Sequence, residues 1–371
     1  MSRYAEPLIQ ALIFFPIVAG VFTLPYVIYC YRKYGSVLVM RVICVYAFIY
    51  YLMSVYCLAI LPFPSTDSEP TQQVGINLIP FSYVPEILTK EVEFSLSDPS
   101  TWMSAFFSSG LYEPLLNILM FLPLGVFLRY YFGWSFKRTV LYAFLLSFFL
   151  EFTQYTATYG LAPYRYRLAD VNDLIDNTLG GIIGYAVTPL LTFMLPTRER
   201  LNQVSYQRGA RVSYVRRAFA LIADSLLLFV LVLPLYILFS GHYTLLHTVC
   251  TFAYFTLLPY YWGGRTLGKS LVRIRIVDES SHERASLRQY AARTALLHLL
   301  PDSLALLSEL FSSSLVLFAL PSLMLLVLLI AAVSCGRRNE PQMFYEHWTH
   351  TIQIADSQSS RVKGRKSSKQ Q

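Results

Sequence analysis

LYAFLLSFFLEFTQYTATYG, residues 141–160, is apolar enough to read as a membrane-spanning helix, yet it carries Glu151 in its middle. A carboxylate at that depth costs about 3 kcal/mol on insertion scales and more on others, so such a residue marks a functional site by default. A second run, VNDLIDNTLGGIIGYAV from Val171 to Val187, opens with Asp173, Asp176 and Asn177. The two runs together decide the fold class and point to where function lies.

Working outward, the whole chain shares this character. Of its 371 residues 55% are hydrophobic, 16% aromatic and 14% charged, which excludes a soluble globule. A helix needs about 20 apolar residues to cross a bilayer. Residues 7–31, 37–61, 112–132, 138–158, 172–195, 217–240 and 243–262 meet that need, and 290–310 and 313–334 are two further candidates. The expectation is an all-α integral membrane protein, a polytopic bundle of about eight or nine transmembrane helices, with a small cytoplasmic β element in its second half. The first apolar stretch is too long for a secretion signal, lacks a small-residue cleavage site and ends in Arg32 and Lys33, so it reads as an anchor. Five cysteines lie in or beside apolar segments without metal spacing, as packing residues do. No metal and no cofactor is expected.

The net charge of +8 does not imply nucleic acid, because the basic residues are dispersed between hydrophobic segments. They give orientation instead. Arg32, Lys33 and Arg41 follow the first span, Arg129, Lys137 and Arg138 the third, and six arginines stand between 198 and 217. The segment 62–111 has six acids against one base, Lys90. With the N-terminus outside, the basic groups and the C-terminus are cytoplasmic and the acidic loop is external. The polar, Arg-rich stretch 197–215 marks a domain boundary. It divides a membrane domain over 1–196 from a second over 216–355, followed by a disordered basic tail over 356–371 that can rest on anionic lipid headgroups.

In the first domain Ser147, Glu151, Gln154, Tyr155 and Thr158 fall on one helical stripe. Asp173, Asp176, Asn177, Gly180 and Gly184 fall on another, and the two glycines let a neighbouring backbone come close. At 1.5 Å rise per residue, Asn117, Glu151 and Asn177 each lie roughly 8–11 Å inside the outer ends of their helices. Arg165 and Arg167, just outside, are placed to pair with the acids or hold an anionic group. The candidate pocket is therefore Asn117, Glu151, Gln154, Arg167, Asp170, Asp173, Asp176 and Asn177. The opposing interpretation is an interhelical hydrogen-bond network with no ligand.

The motifs in this half are Asn77-Leu-Ile-Pro-Phe81, Asn117-Ile-Leu-Met-Phe-Leu-Pro-Leu-Gly125, the Ser147, Glu151, Gln154 set, Tyr164-Arg-Tyr-Arg167, and the run from Asp170 to Gly184. Together they resemble the VanZ-like family over roughly 37–195. The resemblance implies a membrane protein linked to low-level resistance to lipoglycopeptides such as teicoplanin.

The second half opens a helix with Arg216-Arg-Ala-Phe-Ala-Leu-Ile-Ala-Asp224, placing Arg217 and Asp224 seven residues apart on one face, where a structural ion pair is one of the readings open to them. Gly264-Arg-Thr-Leu-Gly-Lys269 lacks the spacing of a phosphate loop, which argues against nucleotide binding. Residues 272–277 alternate arginine with β-branched residues, the pattern of a half-exposed strand. Residues 274–277 are expected to pair with 351–354. This half resembles the RDD family, named for an arginine and two aspartates, over roughly 213–354. The resemblance assigns its motif to Arg217, Asp224 and Glu346, glutamate standing where the family has its second aspartate. For some members of that family it implies transport or ion exchange.

The leading expectation is a non-enzymatic protein of the bacterial cytoplasmic membrane, surrounded by lipid. Its outward-facing polar pocket would bind an amphiphilic ligand, a cell-wall precursor or a lipoglycopeptide. The alternatives are a transporter or ion exchanger using Glu151 and Asp224, and an enzyme that modifies an envelope lipid. No nucleophile with an oriented base is visible, and His242 and His247 stand in the other half.

Overall fold

The computed structural model describes residues 2–63, 75–84, 109–165, 167–238, 243–299 and 342–356. The expected span 313–334, most of 290–310, the tail beyond Asp356 and His242 lie outside them. The chain is mostly helical and divides into two compact units, Met1–Thr23 with Val39–Leu201, and Leu24–Leu38 with Asn202–Gln371.

Among the described residues five helices are long and apolar enough to cross a membrane: Ala5–Tyr34, Val39–Ile60, Leu111–Tyr130, Val171–Leu191 and Tyr214–Leu235. They mark a multi-pass membrane protein. Large side chains such as Ile13, Ile17, Val21 and Val230 are each more than 60% exposed, an apolar surface suited to lipid rather than water. Two other expected spans differ in detail. The one over 138–158 is the helix Phe136–Tyr155, in which Glu151, Thr153 and Gln154 dilute the apolar character. The one over 243–262 is a helix, Tyr243–Phe252, that passes through a π-helical stretch, Ala253–Leu257, before resuming at Leu258–Tyr261.

The first unit contains part of α1 (Ser2–Tyr34), then α2 (Val39–Ile60), β1 (Ile76–Asn77), α3 (Ser109–Tyr130), α4 (Phe136–Tyr155), β2 (Ala169–Asp170) and α5 (Val171–Leu191). Helices α3 and α5 lie backbone to backbone. A Cβ on Gly180 would meet the Ile118 carbonyl, one on Gly184 the Leu122 carbonyl, and one on Gly125 the Gly181 carbonyl. Only glycine lets the helices approach so closely. Val55, Ile60, Phe121, Leu124, Leu128 and Leu150 form the core beside this seam.

Helix α4 ends earlier than the sequence suggests. Ala157, Thr158 and Tyr159 turn left-handed, with φ of 50, 55 and 59°, so Thr158 leaves the expected stripe. The Thr156 hydroxyl accepts the Tyr159 N–H at 3.2 Å, and the Tyr159 and Thr153 hydroxyls meet at 2.8 Å, holding the turn. The chain then returns as β2, which pairs in parallel with β1, Asn77 opposite Asp170. This second sheet is not anticipated in an all-helical reading of the first half. The expected boundary stretch is a polar helix, α6 (Arg198–Gly209).

In the second unit α7 (Tyr214–Leu238) and the broken helix from Tyr243 precede a short helix, Leu267–Leu271. Strand β3 (Ile274–Asp278) pairs antiparallel with β4 (Thr351–Ala355), Ile276 opposite Gln353, as the alternating pattern predicts. Gly264, at φ of +85°, sits where a Cβ would strike the Ile276 carbonyl. Helix α8 (Leu287–Thr294) starts with a capping box between Ser286 and Gln289. Gln289 also donates to Asp278 at 2.6 Å and to the His350 carbonyl at 3.1 Å, tying the helix to the sheet. Hydrogen bonds from Ser280, Gln289 and Ser281 hold the Asp278 carboxyl well below the usual carboxylate range. Val272, Ile274, Ile276, Ala285 and Tyr290 fill the core.

Candidate functional site

The polar residues of the first unit gather where α3, α4 and α5 meet. Asn117 donates to Asp173 at 2.7 Å, joining α3 to α5. Asn177 donates to Ser147 at 2.9 Å, and Ser147 to the Asp173 carbonyl at 3.4 Å, joining α5 to α4. Glu151 accepts the Asp170 N–H at 3.0 Å, which ties α4 to the start of α5. Gln154 donates to the Ala59 carbonyl at 3.0 Å and Arg167 to the Leu61 carbonyl at 2.8 Å, so both fasten the end of α2. Arg165 stacks over Tyr155, its guanidinium 4.2 Å from the ring centre.

These residues surround a cavity of about 560 Å³. Asn117, Glu151, Gln154, Arg167, Asp173 and Asn177 line its polar part; Leu58, Leu116, Met120, Pro123 and Leu150 are among its apolar walls. The size is that of a ligand pocket. Two buried acceptors on lining residues, Gln154 Oε1 and Asn177 Oδ1, have no hydrogen-bond partner among the described residues. A network closed on itself would satisfy them.

Asp170 and Asp176 are absent from the cavity wall. Asp170 caps α5, accepting the Asn172 N–H at 2.8 Å, while its other oxygen takes Asn77 at 3.0 Å. Asp176 faces Tyr83, whose hydroxyl lies at 3.4 Å. The periodicity that grouped them with Asp173 fixes a helix face but not what stands opposite it. The segment 77–83 supplies that: Asn172 donates to Ser82 at 2.9 Å and to the Ile79 carbonyl at 3.3 Å, and accepts the Phe81 N–H. Residues 77–83 are thereby pinned over the start of α5. Sequence reasoning omits Glu113, which also lines the cavity. Its spacing of one helical turn before Asn117 is the signal that would find it.

In the second unit Arg217 pairs with a residue other than Asp224. Arg217 pairs with Glu346, and Arg293 joins the same carboxylate at 3.1 Å. Gln353 donates to Glu346 at 2.9 Å and the Met343 N–H at 3.1 Å. Glu346 is fully buried. Burial pushes its carboxyl up, but Arg293, Arg217, Gln353 and the Met343 N–H outweigh that and hold it below its ordinary value.

Asp224, also fully buried, instead serves the loop that imitates a phosphate loop. The Gly268 N–H and the Tyr254 hydroxyl each reach Oδ1 at 2.6 Å, and the Thr266 hydroxyl reaches Oδ2. The backbone turn that elsewhere could cradle an anion cradles a carboxylate of its own chain. Lys269 Nζ stands 3.7 Å from Asp224, and burial lowers the Lys269 pKa to about 8 against the pull of that aspartate. Lys269, Thr266 and Tyr254 go unmarked as site residues in sequence, because their partner is remote along the chain. Among the described residues no group of three His, Cys, Asp or Glu is placed to hold a metal.

No curated protein and no solved structure matches the chain. Two family models do: VanZ/LLP1 over residues 48–194 and the RDD family over residues 211–342. The first range contains every residue of the cavity's polar part, and the second contains Arg217, Asp224, Lys269 and Arg293. Glu346 lies beyond it, joined to the motif by geometry alone. This is therefore a membrane protein in which a VanZ/LLP1 domain is followed by an RDD family domain.

Proposed function

We propose that the first unit binds an amphiphilic envelope molecule in the cavity between α2, α3, α4 and α5, and thereby lessens the action of lipoglycopeptides such as teicoplanin. The carrying observation is the cavity itself: polar groups from three helices at one part, apolar walls over the rest, and unsatisfied buried acceptors on Gln154 and Asn177. Such a division suits a ligand with a hydrogen-bonding head and an apolar body, a cell-wall precursor or the drug. Arg167 provides the cation for an anionic head, Asn117 and Asn177 the amide contacts. The reading places the protein in a bacterial cytoplasmic membrane with the 62–111 segment outside and the C-terminus inside, where the basic residues are retained. Deleting the gene is expected to raise sensitivity to teicoplanin more than to vancomycin. Wild-type complementation restores tolerance and Asn117→Ala or Asp173→Ala does not; equal or absent sensitisation counts against the reading.

A second reading, cation or proton exchange, draws on Glu113, Glu151 and Asp173 lining one cavity. It predicts flux in proteoliposomes that disappears in Glu151→Gln. Asp224 no longer fits that scheme as a carrier, since its oxygens are occupied by Gly268, Tyr254 and Thr266.

A further inference from the structure

A smaller cavity of about 230 Å³ lies within the second unit, and neither the drug-tolerance nor the exchange reading uses it. Among the described residues its wall carries three cations, Arg217, Lys269 and Arg293, and no carboxylate. All three are buried, with side-chain exposures of 9, 8 and 6%. The carboxylates that face them, Glu346 and Asp224, sit behind the wall. A buried cation is costly unless a carboxylate or an anionic ligand balances it at close range, and the carboxylate that faces Lys269, Asp224, stands 3.7 Å away.

We propose that this cavity is a binding site for a phosphate-type oxyanion, carried either on the headgroup of an acidic phospholipid or as free phosphate. Lys269 is the pivot. An ammonium has three donors, and here Nζ reaches Thr266 Oγ1 only at 3.4 Å and Asp224 only at 3.7 Å. Both contacts are long for a charged donor, so a closer acceptor in the cavity would be better served. Arg293 commits one terminal nitrogen to Thr351 at 3.0 Å and the other to Glu346 at 3.1 Å, with further N–H groups on the same fork. Several cations around one point suit a group with oxygens in several directions.

The remaining wall includes Ala218, Leu221, Ile276, Leu297 and Met343. At this volume the cavity is below the usual range for drug-sized ligands, so it takes a headgroup and not a whole lipid. The apolar wall is where an acyl chain would leave.

The test uses the full chain in nanodiscs of phosphatidylcholine alone or with phosphatidylglycerol, and in detergent with phosphate or chloride at matched ionic strength. Retained lipid is counted by native mass spectrometry and stability is read as Tm. Phosphatidylglycerol is expected to be retained and to raise Tm, with retention weakened about tenfold or more in Lys269→Met and preserved in Lys269→Arg. A matching rise with phosphate but not chloride, without lipid, assigns the site to the free anion. Ala218→Leu guards against a Lys269→Met that does not fold: it fills the cavity from a helix without altering a charge, and should abolish retention. Retention equal to that of the wild type in folded Lys269→Met and Ala218→Leu, or no preference of the wild type for either phosphate source, overturns the proposal.

Discussion

Glu346 shows what a single residue settles and what its neighbours in sequence conceal. Arg217 and Asp224 share a helix face, but seven residues of helix separate them by roughly 10 Å along the axis, beyond reach of a direct ion pair. The true partner comes from a segment more than a hundred residues away, and one-dimensional spacing carries no information about it. Glutamate in place of aspartate has a physical role here, because it spans Arg217 and Arg293 with separate oxygens. Glu346→Gln removes the charge and leaves two buried guanidiniums facing each other, so it should destabilise by about 3–5 kcal/mol. Glu346→Asp keeps the charge and loses reach; its loss should be smaller but measurable in the thermal unfolding of purified protein. Lys269 gives a test through pH. Its pKa falls from 10.5 to about 8 in the folded chain, amid Asp224, Arg293 and Glu346. Between those values the unfolded state holds a proton that the folded state has released, so this residue makes stability rise with pH. The slope is at most about 1.4 kcal/mol per pH unit. Relative to Lys269→Met, the wild type should gain stability from pH 8 to 10; a flat difference would show that the lysine titrates normally.

At the scale of elements, the helices were plain in the sequence and their endings were not. The apolar runs, the Gly180 and Gly184 pair and the alternating residues of β3 each report a local period, which one chain displays directly. The left-handed turn at Ala157–Tyr159 does not, since alanine, threonine and tyrosine all favour the right-handed region. It is maintained by Thr156 and Thr153 acting on Tyr159. Ala157→Gly should therefore stabilise the chain, by about 0.5–1 kcal/mol after the entropy of the added glycine is set against the relieved strain. Unchanged or lower Tm would mean that the turn is not strained. Gly184→Val tests the opposite situation. Its new side chain would occupy the position of the Leu122 carbonyl, a backbone atom that cannot rotate away. The α3–α5 seam must then open, and with it the Asn117–Asp173 link at 2.7 Å. Overpacking of this kind costs about 1–3 kcal/mol or more, visible as lost folded protein on size exclusion in detergent. The same seam brings Asn117, Asp173 and Asn177 to one cavity, which Glu151 and Gln154 join from α4 and Arg167 from the stretch before β2. Helices in backbone contact bring their polar stripes together, whereas Asp170 and Asp176 are drawn aside by Asn77 and Tyr83.

For the molecule as a whole, two units each enclose a cavity, and the chemistry assigned to the first depends on which side of the membrane its polar end faces. The distribution of charge argues the orientation. The 62–111 segment carries six acids and one lysine, while α6 is rich in arginine, with Arg198, Arg200 and Arg208 in its twelve residues. Positive loops stay in the cytoplasm, so residues 75–84 should face outward and α6 inward. Two exposed positions report on this. Leu78 is 74% exposed beside β1, and Arg200 is exposed on α6. In a background freed of the five native cysteines, Leu78→Cys should react with a membrane-impermeant maleimide on intact cells. Arg200→Cys should react only after the membrane is opened. The reverse pattern would turn the cavity of Glu151, Asp173 and Arg167 toward the cytosol. An external lipoglycopeptide could not then be its ligand, although the phosphate site of the second unit, which depends on buried cations and not on sidedness, would still be open to its own test.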